Sequence, residues 1–293
     1  MADGREVEYV EVGDPGGRPV VYLHGTPGTA GSVALLEDAA RRKDVRLLAL
    51  SRPGYGRSTT TPPGLVSVAQ NVGELASGLG VEEFAVLGVS GGGPFALATA
   101  AAMPARVRRV LIAAGPGPSQ LLEAQDLEPA EVHALELLRA GDVDGTVALV
   151  TAEARREFDA LRDLPDEEFK EALSGMVPPS ERYFDTRPDE YAMFVADFRR
   201  SIERYDGYVR DNVSWLGPWG FDLADVVAPA LLCYGGADAM VPASNGEWLA
   251  EQLPRATLSI QSDAGHGDVC FGSGEHLFAV DSPCDSARKP HTT

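Results

Sequence analysis

The stretch FAVLGVSGGG (residues 84–93) begins as a short apolar run and ends as a glycine-rich turn, after which residues 91–103 show a helical pattern. Its centre is a Gly-x-Ser-x-Gly string around Ser90. A nucleophile at a tight strand-to-helix turn needs small neighbours, because the backbone is strained there and the hydroxyl must stay accessible. The N-terminus of the following helix also favours developing negative charge. Ser90 is therefore a candidate nucleophile. A glycine-rich turn that only packs a helix against a strand would have the same sequence pattern.

Around this turn, short apolar runs alternate with helical stretches. Continuous apolar runs separated by helices indicate parallel strands that are covered on both faces. The pattern predicts strands at residues 6–12, 19–23, 45–50, 84–89, 107–113, 229–234 and 256–261, and helices at residues 31–42, 67–79, 91–103 and 243–253. We expect an α/β domain made of residues 1–115 and 227–281, with residues 282–293 as a flexible tail.

Residues 116–226 interrupt this alternation. They follow a Gly-Pro-Gly-Pro segment (residues 115–118) and show helical patterning without a convincing strand. Helices are predicted at residues 129–140, 144–164, 165–176 and 188–209, which together indicate a helical cap inserted into the α/β domain. Some of its side chains could line an apolar pocket over Ser90 or form the cap's own core; these are Met193, Phe194, Trp215, Trp219 and Phe221.

Two polar residues follow the last two predicted strands. Asp238 comes after the strand at residues 229–234, and His266 lies in an Ala-Gly-His-Gly loop after the strand at residues 256–261. Open α/β sheets carry their site residues outside the carboxyl ends of the strands. A serine hydroxyl needs a base, and the imidazole of that base needs a carboxylate to fix its tautomer. We expect Ser90 to be the nucleophile, His266 the general base and Asp238 the acid that orients it.

Other residues compete for these roles. Asp225, Asp263 and Asp268 are the rival acids, but the last two flank the histidine too closely to reach its far nitrogen. His24 opens the loop His-Gly-Thr-Pro-Gly (residues 24–28) and is expected to be structural. If the strands that precede this loop and Ser90 are neighbours, the backbone N–H groups of Thr26 and Gly91 can bind one oxyanion.

These motifs together make the chain resemble the α/β-hydrolase superfamily over nearly its full length. The order Ser, Asp, His is that superfamily's order. The segment SRPGYGRS (residues 51–58) looks like its Asp-Arg-Pro-Gly-x-Gly-x-Ser loop, with Ser51 in place of Asp. The resemblance implies a mostly parallel eight-stranded sheet, a cap inserted after the strand that ends near Ala113, and an oxyanion hole formed by Thr26 and Gly91. The sequence predicts only one strand before residue 19, where the family usually has two, so an edge strand of the sheet could be missing on that side.

The resemblance implies a serine hydrolase that cleaves a carboxylic ester or lactone through an acyl-enzyme. A carbon–carbon bond hydrolase, an aminopeptidase or amidase, and a ligand-sensing or non-hydrolytic, cyclase-like protein remain open alternatives. A serine nucleophile argues against the haloalkane dehalogenase and epoxide hydrolase branches, which use Asp at this place. The chemistry needs no metal or organic cofactor, and no metal-ligand spacing is legible.

The excess of acidic residues indicates which kinds of partner the protein surface would repel. Asp and Glu number 44 against 25 Lys and Arg, so the formal net charge is −19, and such a surface repels nucleic acid and acidic membranes. No run approaches the ~18 apolar residues of a membrane span, and no secretory signal is legible. Cys233, Cys270 and Cys284 lack the spacing of a zinc site or a redox pair. We expect a cytoplasmic protein that binds a small-molecule substrate with an apolar part. The sequence leaves open whether the chain forms a homodimer.

Overall fold

The computed structural model describes residues 1, 3–121, 129–178 and 181–278, and in them a single mixed sheet organises the chain. Its order is β1-β3-β2-β4-β5-β6-β7. The strands are β1 (Tyr9–Gly13), β2 (Arg18–Leu23), β3 (Val45–Leu50), β4 (Phe84–Val89), β5 (Val107–Ala113), β6 (Ala230–Gly235) and β7 (Ala256–Gln261). Only β1 runs antiparallel to its neighbour. The sheet is mostly parallel, as expected, but it has seven strands within the described ranges instead of eight, because one strand alone precedes β2.

Helices cover both faces of this sheet, which explains why the central strands read as continuous apolar runs. Helices α2 (Leu65–Gly78), α3 (Gly93–Ala102) and α9 (Ser244–Gln252) pack on one face, and α1 (Glu37–Arg42) and α10 (Gly274–Phe278) on the other. The helix predicted at residues 31–42 begins instead as a 3₁₀ helix, Ala30–Leu36. The predicted tail at residues 282–293 lies outside the described residues.

Between β5 and β6 the chain forms the predicted helical insertion. It contains α4 (Pro129–Arg139), α5 (Val143–Arg162), α6 (Asp166–Met176), α7 (Pro188–Ser201) and α8 (Asp206–Leu216). The single helix predicted at residues 188–209 is wrong. The chain turns after Ser201, where Ile202 is fully buried in the insertion's core, and α8 then packs against α5. Among the residues that the structure describes, each helix is too short or too polar to span a bilayer.

The carboxyl ends of the parallel strands bring the candidate residues to one edge. Strands β2 and β4 are hydrogen-bonded neighbours, with Leu23 opposite Gly88, which meets the condition stated for the oxyanion site. The loops that follow them carry Thr26 and Ser90, and the loops after β6 and β7 carry Asp238 and His266. The cap lies over this same edge, so that its helices face the candidate residues.

Candidate active site

The backbone at Ser90 is in the left-handed region, which residues with a side chain rarely adopt. Its φ is 49°, and it is the first residue after β4. The glycines around it allow this turn to fit. A Cβ on Gly92 would lie 2.1 Å from the carbonyl oxygen of Leu23, and one on Gly88 would lie 2.6 Å from that of Gly92. Such an observed strain is typical of functional positions.

Ser90, His266 and Asp238 form a continuous chain of hydrogen bonds. Ser90 Oγ lies 3.0 Å from His266 Nε2, and His266 Nδ1 lies 2.8 Å from Asp238 Oδ2. The other carboxylate oxygen, Oδ1, accepts the backbone N–H groups of Met240 and Val241, each at 2.8 Å. With the carboxylate fixed in this way, His266 can donate from Nδ1 and accept the proton of the serine hydroxyl at Nε2.

The surroundings of His266 set the pKa of its imidazole. Burial lowers this pKa, but the Cys270 sulfur and the hydrogen bond and charge of Asp238 raise it, and the net result is a pKa well above 6.5. An imidazole that holds a proton more readily accepts it more readily from a serine hydroxyl. The imidazole is therefore a strong base for the Ser90 proton, and it can act at pH values above its pKa, where it is neutral.

Thr26 and Gly91 meet beside Ser90. A Cβ built on Gly91 would lie 2.5 Å from Thr26 Oγ1 and 3.2 Å from the Thr26 backbone nitrogen, and one built on Gly25 would lie 3.5 Å from the Ser90 Cβ. The structure thus brings together the two residues that the sequence suggested for an oxyanion site. A side chain at position 91 would collide with the Thr26 side chain unless the loop that carries Thr26 moved.

Ser90 and His266 line a cavity of about 340 Å³ between the sheet edge and the cap. Most of its lining is apolar, with a group of aromatic rings from the cap and from the segment after His266. Three carboxylate side chains also line it, those of Glu157, Glu181 and Asp197, and no Lys or Arg does so among the described residues. The aromatic residues of this group are Phe158, Tyr183, Phe184, Tyr191, Phe194, Phe198, Tyr208 and Phe271, and Tyr22 of β2 lines the cavity as well.

A comparison with protein-family models matches residues 18–272 to the alpha/beta hydrolase fold. The chain belongs to the alpha/beta hydrolase fold family. It is similar to a 2-hydroxy-6-oxononadienedioate/2-hydroxy-6-oxononatrienedioate hydrolase of Burkholderia vietnamiensis, with 26% identity over 276 residues, 91% of this chain and 87% of the relative.

Solved structures share the fold of this alpha/beta hydrolase. Est816, described as an N-acyl homoserine lactone degrading enzyme, superposes with a TM-score of 0.65 at 20% identity, covering 96% of this chain and 98% of its own. An enol-lactonase from Burkholderia xenovorans superposes with a TM-score of 0.64 at 18% identity, covering 94% and 95%. At these identities the likeness establishes the fold alone.

Of the five predicted pocket residues, this alpha/beta hydrolase places only Phe194 in the cavity. Met193 is 41% exposed, because consecutive residues of α7 point in different directions around the helix. Trp215 packs on the α4 side of the cap and donates its Nε1–H to the Gly117 carbonyl at 2.8 Å. The rings of Trp219 and Phe221 stack on each other, with their centroids 5.7 Å apart, and line a separate surface groove. For Met193, Trp215, Trp219 and Phe221 the predicted position was wrong.

Sequence reasoning missed the cavity residues that share a helix face with Phe194. Tyr191, Asp197 and Phe198 of α7 lie three or four positions from it, the spacing of one face. Burial raises the pKa of Asp197 to about 6, while hydrogen bonds from Thr29 and the Arg200 charge act the other way. Helical spacing around Phe194 was the signal that would have found this face.

Sequence reasoning also missed a buried ion pair beneath the Thr26 loop. Arg52 and Asp211 are almost fully buried, and their side chains approach to 2.5 Å. Arg52 also donates its backbone N–H to His24 Nε2 at 3.0 Å, while His24 Nδ1 lies 2.8 Å from the Gly25 carbonyl. Burial and the nearby Arg52 charge lower the pKa of His24 well below 6.5. His24 is thus held neutral inside the fold, which agrees with the structural role expected for it.

Within the described ranges no group of three or more His, Cys, Asp or Glu side chains is arranged to hold a metal ion. The candidate site consists of the hydrogen-bonded chain from Ser90 to Asp238, the adjoining Thr26 and Gly91, and the aromatic cavity. Together they can activate a hydroxyl, and they leave room for an apolar group beside it.

Substituting Gly92 by Ala tests the packing behind Ser90. The added methyl would meet backbone atoms of Leu23 and His24 at 2.1 and 2.6 Å. We expect the free energy of unfolding to fall by about 3 kcal/mol, the upper end for overpacking. Urea unfolding measures this change. The control is Gly78→Ala near the end of α2, where nothing lies within 4 Å of the added methyl. Equal stability of Gly92→Ala and Gly78→Ala would contradict the account.

Proposed function

We propose that this alpha/beta hydrolase is a serine hydrolase that cleaves a carboxylic ester or lactone whose acyl part is uncharged and largely apolar. One observation carries the proposal. The hydrogen-bonded chain from Ser90 through His266 to Asp238 opens into an aromatic cavity. A serine hydroxyl is a weak nucleophile by itself, and this arrangement is the one by which proteins activate it for acyl transfer.

The proposed reaction uses the groups that the structure brings together. Ser90 Oγ attacks the substrate carbonyl carbon, and His266 Nε2 takes the hydroxyl proton as the bond forms. The carbonyl oxygen becomes an oxyanion, which the backbone N–H groups of Thr26 and Gly91 stabilise. His266 then gives the proton to the leaving alkoxide oxygen, and an acyl-enzyme remains on Ser90. Water, deprotonated by His266, attacks the acyl carbon, and the acid leaves as Ser90 regains its proton.

The charges that line the cavity support an uncharged acyl part. Glu157, Glu181 and Asp197 line it, and no cationic side chain does so among the described residues. A substrate carboxylate there would lose its hydration without gaining a partner of opposite charge, which is costly. An uncharged acyl chain would instead bury its apolar surface against the aromatic rings.

Carbon–carbon bond hydrolysis is the second candidate, and sequence similarity favours it. The relative from Burkholderia vietnamiensis, 26% identical, is named for a dioate substrate. A dioate carries two carboxylates, and an enzyme that binds it gains from cationic partners. The acidic and aromatic lining of this cavity opposes such a substrate, so we rank ester or lactone cleavage first.

A set of p-nitrophenyl esters tests both parts of the proposal. We would compare acyl chains of equal length that end in a methyl, a carboxylate or an ammonium group, with wild type and Ser90→Ala side by side. We expect kcat/KM for the methyl-ended ester to exceed that for the carboxylate-ended ester at least ~10-fold, because only the second desolvates a charge. Turnover should fall by several orders of magnitude in Ser90→Ala, since the three residues act as a unit.

Each result has a distinct meaning. A preference for the carboxylate-ended ester would contradict the proposal that the acyl part is uncharged, and it would favour a dioate substrate. A preference for the ammonium-ended ester would also contradict that proposal, and it would favour a cationic, aminopeptidase-like substrate. Unchanged turnover in Ser90→Ala would refute the nucleophile assignment.

The pKa of His266 predicts the pH dependence. General-base action needs the neutral imidazole, so kcat/KM should rise with pH through that pKa. Because Asp238 raises the pKa of His266, the midpoint should lie above 6.5 in wild type and move down in Asp238→Asn, along with a large loss of rate. Initial rates with the methyl-ended ester from pH 5 to 9 measure the midpoint. A profile that falls as pH rises, or a midpoint that Asp238→Asn leaves in place, would rule out this role for the pair.

A further inference from the structure

Cap helix α8 reaches beneath the loop that carries the proposed oxyanion donor Thr26. Asp211 Oδ2 accepts the Thr26 hydroxyl at 2.9 Å and the Arg52 Nη2–H at 2.5 Å. Arg52 Nε also donates to both carboxylate oxygens, at 3.2 and 3.0 Å. One carboxylate of the cap therefore holds both Thr26 and the guanidinium that lies under the loop.

Arg52 distributes this hold over three consecutive residues of the loop. It donates from Nη1 to the His24 carbonyl, and from Nη2 to the Gly25 carbonyl at 3.1 Å and to Thr26 Oγ1 at 2.9 Å. A guanidinium is planar and presents its donors in a fixed arrangement, so its orientation determines where all three acceptors lie. The carboxylate of Asp211 sets that orientation.

The loop has little freedom on its catalytic side. Thr26 is in contact with Gly91, and Gly25 lies against Ser90. An oxyanion donor acts only when it lies about 3 Å from the developing charge. A shift of Thr26 would therefore change the stabilisation of the transition state, even if the substrate still bound in the aromatic cavity.

We propose that Asp211 is a positioning residue for the oxyanion hole, acting through Arg52 and the Thr26 hydroxyl, so that a residue of the cap sets the rate of acyl transfer. The inference rests on the proposed serine hydrolase function. It adds that a residue of the cap, which lies outside the lining of the cavity, determines kcat.

The experiment compares Asp211→Asn with Asp206→Asn, the same change on the same helix. Asp206 is exposed and pairs with Arg204 at the surface. With the methyl-ended p-nitrophenyl ester we expect Asp211→Asn to lower kcat at least ~10-fold, a part of the loss known for deleting a whole oxyanion donor, with KM within twofold of wild type. Asp206→Asn should keep both constants.

Two inhibitors separate positioning from substrate binding. Ser90 adds to the carbonyl carbon of a trifluoromethyl ketone with the same acyl chain, and the adduct places an oxyanion in the oxyanion hole. The corresponding secondary alcohol forms no adduct and only occupies the cavity. For Asp211→Asn we expect the inhibition constant of the ketone to rise in proportion to the loss of kcat, while that of the alcohol stays within twofold. A purely structural role would not produce this contrast.

A second pair of variants covers the case in which Asp211→Asn does not fold. Thr26→Val removes the hydroxyl that Asp211 and Arg52 hold but keeps the ion pair and the backbone N–H, and Thr26→Ser keeps the hydroxyl. We expect Thr26→Val to lower kcat and to weaken binding of the ketone, and Thr26→Ser to lose less of both than Thr26→Val. Thermal unfolding of each variant establishes that it is folded.

Three outcomes would overturn the proposal. In the first, KM or the alcohol's inhibition constant rises while kcat is unchanged, which would give Asp211 a role in substrate binding only. In the second, Asp211→Asn and Thr26→Val both behave as wild type. In the third, wild type itself shows no hydrolysis that depends on Ser90, which would remove the proposed function and this inference together. The first two leave the proposed function standing.

Discussion

Ser90 occupies a left-handed backbone position at the point where β4 ends and α3 is about to begin. That conformation exposes its hydroxyl at the sheet edge, and it is tolerated because no side chain is present at positions 88, 91 and 92, where one would collide with backbone or with Thr26. The parallel neighbour β2 then delivers Thr26 to the same place, and β6 and β7 deliver Asp238 and His266. The candidate site therefore follows from one strained turn and from the way parallel strands end together.

The cap is bound to this edge by charged groups as well as by apolar packing. Asp211 holds Arg52 and Thr26, while Asp197 accepts the backbone N–H of Thr29 at 3.0 Å and also its hydroxyl. Two cap carboxylates thus hold the loop at residues 24–29 from different helices. Removing one partner of a buried ion pair costs on the order of 3–5 kcal/mol, so the position of this loop is coupled to the position of the cap.

Much of the fold could be predicted from the sequence, and the physical reason is periodicity. Strands at residues 45–50, 84–89 and 107–113 have the predicted bounds because buried parallel strands read as short apolar runs. The strand at residues 256–261 also has the predicted bounds, although its side chains are exposed or half-buried at the edge of the sheet. The three residues of the hydrogen-bonded chain were also found, since each follows a strand at its carboxyl end. The break after Ser201 was missed, because residues 188–209 keep one apolar periodicity through the turn. The wrong pocket residues have a similar cause. Aromatic content alone does not say which face of the cap is turned toward Ser90, so Trp219 was expected in the cavity and Tyr208 was not.

The most direct test of Ser90 as the nucleophile is the mass of the protein during turnover. The protein would be mixed with a p-nitrophenyl ester, quenched in acid within the first turnovers, and analysed intact and after digestion by mass spectrometry. If Ser90 is the nucleophile, the mass increases by one acyl group, which is located on the peptide that contains Ser90 and is absent from Ser90→Ala. Hydrolysis without an acylated intermediate in a rapid quench, or an acyl group on another residue that persists in Ser90→Ala, would contradict this assignment.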